Sequence, residues 1–178
     1  PTETHFFVNK DKLNKINKGY KNKFKIVIGA GSSGPTNRWG AKNFSKLINQ
    51  LNKSDDYFFF LLCGPNERQI ENEIISNLHK ENFIPLSDKN IENLIPYLCA
   101  SDMYVGNDSF GSHITSQSGK KSIVMLLDAP RAYTDYSKNY HRMVPKGFDI
   151  DEITHGTNAD PNLITVEEVI KTINQFRN

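Results

Sequence analysis

The sequence predicts an α/β domain built on a doubly wound, mainly parallel sheet, and three features carry that prediction. Short, nearly continuous apolar runs rich in β-branched and aromatic residues recur along the chain, as strands covered on both faces require: "FKIVI" (24–28), "YFFFLL" (57–62), "DMYVG" (102–106) and "SIVMLL" (122–127). Stretches with helical apolar spacing lie between them. Loops rich in Gly, Ser, Asn and Asp follow the strands, which is where ligands sit in such sheets.

The chain opens on a lysine-crowded stretch, "NKDKLNKINKGYKNKFK" (9–25), whose Asn and Gly content reads as a solvated helix and linker over 1–22 rather than a lipid-binding patch. After strand 24–28, Phe44, Leu47, Ile48 and Leu51 fall at i, i+3, i+4 and i+7 of an amphipathic helix. Strand 57–62 is followed by Ile70, Ile74, Ile75 and Leu78 with nearly the same spacing. "FIPL" (83–86) makes a fifth strand at an edge, because Pro85 has no N–H to give a ladder. "NIENLIPYLCA" (90–100) is a weaker helix that Pro96 is expected to kink or shorten. The last helix is clearer: Thr165 with Glu168 forms a capping box, and Val166, Val169, Ile170 and Ile173 form its stripe. Four central parallel strands and one edge strand, joined by right-handed crossovers, give one Rossmann-like domain over 23–178.

A chain of 178 residues suits one such core. The formal charge of +2, from 22 Lys and Arg against 20 Asp and Glu, gives no reason to expect a nucleic-acid partner. No apolar run approaches the roughly 20 residues of a membrane span, and no signal peptide is expected. Cys63 and Cys99 lack zinc-type spacing and are expected to be reduced, buried thiols of a cytosolic protein. The chain begins at Pro1 rather than Met, so a piece of a longer protein is expected.

Three loops carry the candidate chemistry. In "GAGSSGPTNRWG" (29–40), Gly29, Gly31 and Gly34 allow close backbone approach and positive φ, Ser32, Ser33 and Thr36 offer hydroxyls, and Arg38 offers a cation where a helix begins. That pattern suits a diphosphate, and it also suits an ordinary strand-to-helix turn with Trp39 capping the core. It is neither a Walker loop nor a G-x-G-x-x-G fingerprint. "CGPNER" (63–68) offers Asn66 or Glu67 to ribose hydroxyls, or uses Glu67 only to favour a helix start. "YVGNDSFGSHIT" (104–115) is the most specific: Asp108 follows a strand, then Ser109, Phe110 and Gly111 open a helix carrying Ser112 and His113 in its first turn. Amides there suit a phosphate oxyanion and Asp108 suits sugar hydroxyls, although Asp108 as an N-cap and His113 as a surface side chain would explain the same letters.

In their order and spacing, "VIGAGSSGPTNRWGAKNFSKLI", "FLLCGPNER", "LSDKNIENLIPYLCASDMYVGNDSFGSH" and "SGKKSIVML" resemble the C-terminal half of glycosyltransferase family 9, the bacterial heptosyltransferases of lipopolysaccharide biosynthesis. The resemblance runs from about Lys23 to Leu127. It implies the C-terminal half of a GT-B fold that binds an ADP-sugar donor, with inverting, metal-independent hexosyl or heptosyl transfer and no cofactor beyond that donor. It places Ser32 and Ser33 on the phosphates, the Ser109 and Phe110 amides on the diphosphate, and Asp108 on the sugar. It also implies an N-terminal domain that binds a lipid-linked saccharide and supplies the carboxylate base. That domain is expected to be absent from this chain, which then binds the donor without turning it over. A cytoplasmic setting follows, reaching at most the inner face of the inner membrane.

Three departures stand out: Asn37 replaces the usual Lys two residues before Trp39, Ser109-Phe110 replaces Thr-Gly after Asp108, and "LLDAPRAYTDYSKNYHRMVP" (126–145) replaces the usual ending with an aromatic-rich loop. Two other readings stay compatible with these loops. One is another GT-B sugar-nucleotide enzyme such as a UDP-sugar 2-epimerase relative. The other is a non-catalytic sugar-nucleotide or phosphate-binding module, which the absence of Lys at position 37 favours.

Overall fold

The structure is a computed structural model that describes residues 7–177. Among the described residues six strands and six α-helices alternate up to β5: α1 Lys10–Gly19, β1 Phe24–Gly29, α2 Ala41–Leu51, β2 Tyr57–Leu62, α3 Arg68–Ser76, β3 Phe83–Pro85, α4 Ile91–Ala100, β4 Met103–Asn107, α5 Phe110–Gln117, β5 Lys121–Met125, β6 Tyr140–Met143 and α6 Val166–Arg177. The sheet order is β3-β2-β1-β4-β5-β6 and every pairing is parallel. The chain winds outward from β1 to β3, then returns to β4 on the other flank of β1. The loops after β1 and β4 therefore diverge, and a crevice opens between them at the carboxyl edge of the sheet.

Alternation along each strand feeds two cores. Ile26, Ile28, Phe59, Leu61, Val105 and Ile123 face one side, where α2, α3 and α6 lay down Phe44, Leu47, Ile48, Ile74, Val169 and Ile173. Val27, Phe60, Leu62, Tyr104 and Val124 face the other, covered by Ile16 of α1, Leu94 and Leu98 of α4 and Ile114 of α5. Both faces of β1 and β4 are thus dry, which explains their near-continuous apolar spelling.

Two expectations change, and the helix expected in the basic segment is found docked on the domain. A sixth strand, β6, comes from the stretch read as a loop. "YHRM" shows no apolar run because it is an outermost strand with only Tyr140 fully buried. Pro96 does not shorten α4, which spans Ile91–Ala100 and buries the proline ring; the lost backbone bond is absorbed within the packed helix. The basic segment is docked: Asn9 caps α1 by accepting from the Lys12 amide at 3.0 Å, Lys12 donates to the Asn93 side chain on α4, and Ile16 joins the core. Lys10, Lys12, Lys15 and Lys18 remain exposed. Among the described residues no helix is long and apolar enough to cross a membrane.

Candidate functional site

Strands β1 and β4 approach so closely that neither tolerates a side chain at the contact. A Cβ on Gly106 would sit 2.4 Å from the Gly29 carbonyl oxygen, and one on Gly29 would sit 1.8 Å from the Tyr104 hydroxyl. Asn107, wholly buried at the end of β4, then stitches the two loops together: its Oδ1 accepts from the Trp39 amide at 2.9 Å and its Nδ2 donates to the Ala30 carbonyl at 2.8 Å. The Trp39 indole donates to the Ile164 carbonyl at 2.8 Å. Sequence reasoning passed over Asn107, although it stands beside Asp108 at a strand end.

The loops after β1 and β2 are joined by a charged strut. Glu67 Oε1 accepts from the Ser32 amide at 2.9 Å and from the Arg38 guanidinium at 2.8 Å, while Oε2 accepts from the Gly64 amide at 2.7 Å. The same guanidinium donates to the Ser32 carbonyl at 2.7 Å. Gly31 leaves room for this carboxylate, since a Cβ would lie 2.0 Å from Glu67 Oε2 and would displace it. In this structure Glu67 and Arg38 are committed to each other and to the backbone, and Arg38 lines neither cleft described below. The anticipated positive φ at Gly29, Gly31 and Gly34 is not found; the left-handed glycine in this stretch is Gly40, at φ 96°, just before α2.

Ser109, not Asp108, is the N-cap of α5, in a box with Ser112. The Phe110 and Gly111 amides precede the first intrahelical bond and stay open for an acceptor. The Asp108 side chain is only 7 % exposed, and Oδ1 accepts from the Ser112 hydroxyl at 3.3 Å and lies 3.6 Å from His113 Nε2. Burial pushes the Asp108 carboxyl above its ordinary value, against the pull of His113 and Ser112. His113 is no free surface ring: its Nδ1 lies 2.6 Å from the Tyr136 hydroxyl and 2.9 Å from that of Tyr140. Cys63 lies near the floor, its thiol pushed up to about 12 by burial and by the carboxylates Glu71 and Glu67, so it offers no thiolate at neutral pH.

Two clefts meet at α5. The larger, about 560 Å³, runs toward the β2 and β3 ends between Ser32, Asn66, Lys89 and an apolar wall of Leu62, Leu86, Ile91 and Leu94. The smaller, about 350 Å³, runs the other way and is lined by Asn37, His113, Asp128, Tyr133 and His155. Ser33, Asp108, Ser109 and Phe110 line both. Asn37 donates nothing into the cleft that the structure records; its Oδ1 accepts from the Leu127 amide at 3.4 Å. Asp128 follows β5 and holds the smaller cleft's wall, accepting from Thr36 Oγ1 at 2.5 Å and from the Gly156 amide at 2.6 Å. Those bonds keep its carboxyl below the ordinary value. Its place directly after a strand is the sequence signal that points to it.

A parallel 3-2-1-4-5-6 sheet with a two-part cleft at its switch point defines a Rossmann-like domain of the kind found in GT-B glycosyltransferases. The chain belongs to glycosyltransferase family 9 (heptosyltransferase), whose model matches residues 2–141. That match takes in the basic N-terminal segment as well as all three loops. Among curated proteins, lipopolysaccharide heptosyltransferase 1 of Campylobacter coli is 23 % identical over 162 residues, covering 88 % of this chain and 47 % of the relative. Among solved structures, ADP-heptose lipopolysaccharide heptosyltransferase II of E. coli superposes with a TM-score of 0.77 at 18 % identity over 97 % of this chain and 53 % of the other. A family 9 glycosyltransferase from Veillonella parvula gives 0.79 at 16 % identity with the same coverage. The chain thus spans about half the length of the relatives it matches. The family match favours the transferase reading over the epimerase one.

Proposed function

We propose that this chain is the donor-binding half of an inverting, metal-independent glycosyltransferase that transfers a heptose or related sugar from an ADP-sugar to a lipid-linked saccharide. The observation that carries the reading is the meeting of two unlike clefts at the open amides of α5, a layout that suits a ligand with a flat apolar end, an anionic centre and a hydroxyl-rich end. The nucleoside fits the larger cleft against Leu86, Ile91 and Leu94. The diphosphate fits the Phe110 and Gly111 amides and the Ser32 and Ser33 hydroxyls. The sugar fits the smaller cleft beside Asp108 and His113.

In this reading the chain stabilises the departing diphosphate through preorganised amides and hydroxyls aimed where charge develops. Arg38 and Glu67 hold the first loop in the shape that presents those hydroxyls. The base that activates the acceptor comes from a second, N-terminal domain. Ile91, Phe110, Tyr133 and Tyr136, exposed around the clefts, suit cover by such a domain. The donor is a substrate, no separate cofactor takes part, and the work is done in the cytoplasm at the inner face of the membrane that carries the acceptor.

Calorimetric titration of the chain with ADP, UDP, GDP and ADP-heptose tests this. Saturable ADP binding is expected, weakened by Ser33→Ala, with Asp108→Ala weakening only the sugar nucleotide. Failure of every nucleotide to bind would overturn the donor-site reading of this chain, and sugar transfer by the chain alone would overturn the assignment of the base to another domain.

A further inference from the structure

The segment 126–145 departs most from the family pattern, yet it delivers two phenols to one imidazole. Tyr136, 47 % exposed, and Tyr140, the buried first residue of β6, place their hydroxyls 2.6 Å and 2.9 Å from His113 Nδ1 and 2.9 Å from each other. The Tyr136 ring lies nearly parallel to the imidazole, at 25° with centroids 5.8 Å apart, and the Tyr140 ring meets it at 72°. Tyr140 also reaches the Ser112 hydroxyl at 3.3 Å, which in turn donates to Asp108. On the opposite edge of the imidazole, Nε2 faces Asp108 Oδ1 and the smaller cleft.

We propose that Tyr136 and Tyr140 are positioning residues that lock His113 in the tautomer protonated on Nε2, so that the ring presents one fixed N–H beside Asp108 in the smaller cleft. Use of that N–H by a sugar nucleotide rests on the donor-site reading above.

Proton accounting selects the tautomer. An ionised carboxylate only accepts, so the nitrogen facing Asp108 carries the hydrogen. Nδ1 is then a bare acceptor and takes the Tyr136 proton over the shorter distance. The Tyr140 proton is shared between Nδ1 and the Tyr136 oxygen, each 2.9 Å away, and the Ser112 proton goes to Asp108 or to the Ser109 carbonyl, 2.8 Å away. No donor faces a donor. In the other tautomer Nε2 would set a lone pair against the carboxylate and Nδ1–H would turn both phenols into acceptors. Burial raises the Tyr140 phenol above its ordinary value and keeps it a donor. A histidine acting through a fixed tautomer needs such a partner on its far nitrogen.

The test is nitrogen NMR of the 15N-histidine-labelled chain at alkaline pH, where imidazoles are neutral, with His113 assigned by loss of its signals in His113→Gln. A single tautomer is expected, with Nδ1 of the unprotonated type and Nε2 of the protonated type. Tyr136→Phe keeps the half-exposed ring and removes only the hydroxyl, so a packing role would leave the spectrum unchanged. The clamp instead predicts tautomer mixing, greater in the Tyr136→Phe, Tyr140→Phe double variant. Affinity for ADP-heptose is expected to fall about three- to tenfold in Tyr136→Phe, as for one lost neutral hydrogen bond, with ADP affinity unchanged. Protonation on Nδ1 in the wild type, or an unchanged tautomer in both variants, would overturn the proposal. A locked tautomer in a wild-type chain that binds no sugar nucleotide would sink the donor reading and leave the clamp standing.

Discussion

If Glu67 and Arg38 form a strut, removing either should weaken the chain before any ligand is added. Glu67→Gln keeps the shape and one acceptor oxygen, but it removes the charge and turns an N–H toward a backbone that offers only N–H groups at that point. One charge-assisted bond is lost outright, among those from Ser32, Arg38 and Gly64, and the rest are weakened. Hydrogen bonds to charged groups contribute about 1.5–3 kcal/mol each, so a loss of about 2–3 kcal/mol is expected. For a domain of this size that is a fall in Tm of about 5–10 °C. Urea unfolding followed by the fluorescence of Trp39, the one tryptophan in the sequence, reads the loss. Arg38→Ala should behave alike, and the double variant should be less destabilised than the sum by about 1–2 kcal/mol, because the two share one interaction. Were the pair ligand groups held in waiting, Glu67→Gln would leave the unliganded Tm unchanged and abolish nucleotide binding. That pattern would refute the strut.

Asp108 should show the opposite sign. Its folded-state carboxyl is raised by burial, so its contribution to stability is fully present below the unfolded carboxylate value of about 3.9 and is lost as pH rises through the folded value. Asp108→Asn, which keeps an acceptor for Ser112, should therefore raise Tm at pH 7 and converge with the wild type in acid, while weakening sugar-nucleotide binding. A lower Tm at pH 7 would count against the burial argument. Thr165→Ala should cost about 1 kcal/mol in thermal melts, since the Thr165 hydroxyl accepts from the Glu168 amide at 3.3 Å and the Glu168 carboxylate accepts from Thr165 in return. Among the described residues Lys89 is the one Lys or Arg lining the two clefts, so ADP affinity should fall by less than about tenfold between low salt and about 0.5 M salt. A steeper dependence would mean that Arg38 leaves Glu67 to meet the phosphates.

What was legible in the sequence was what depends on neighbours along the chain. The buried strands announce themselves because both faces are dry, and each candidate loop was found because it follows a strand. The Thr165 and Glu168 box was readable because its partners stand three apart. β6 was hidden because an edge strand need not be apolar. The Arg38–Glu67 strut, 29 residues apart in sequence, and the His113–Tyr136 contact, 23 apart, depend on which loops the crossovers bring together. Asn37, read as a lost cation beside the ligand, is instead an acceptor for the β5 end at Leu127, a role no local pattern encodes.

Pairing between these side chains changes what kind of recognition the site offers. Read letter by letter, the loops hold a cation, a carboxylate and an imidazole for a diphosphate sugar. Folded, the guanidinium is neutralised by Glu67 and the imidazole is held between phenols and Asp108. Beside Lys89 and the hydrogen-bonded carboxylates of Glu67, Asp108 and Asp128, the clefts are lined by neutral donors: serine hydroxyls and the first amides of α5. Neutral donors fixed by a charged scaffold bind an anion with little reorganisation, because the costly charges were placed during folding rather than on binding. Direction then matters more than net charge, and a shift of the first loop by the length of a side chain should cost more than the removal of a surface lysine. The Gly29–Gly106 contact and the buried Asn107 belong to that same logic: they give up ordinary packing to bring the first and third loops together, as a donor bridging both would require under the proposed function.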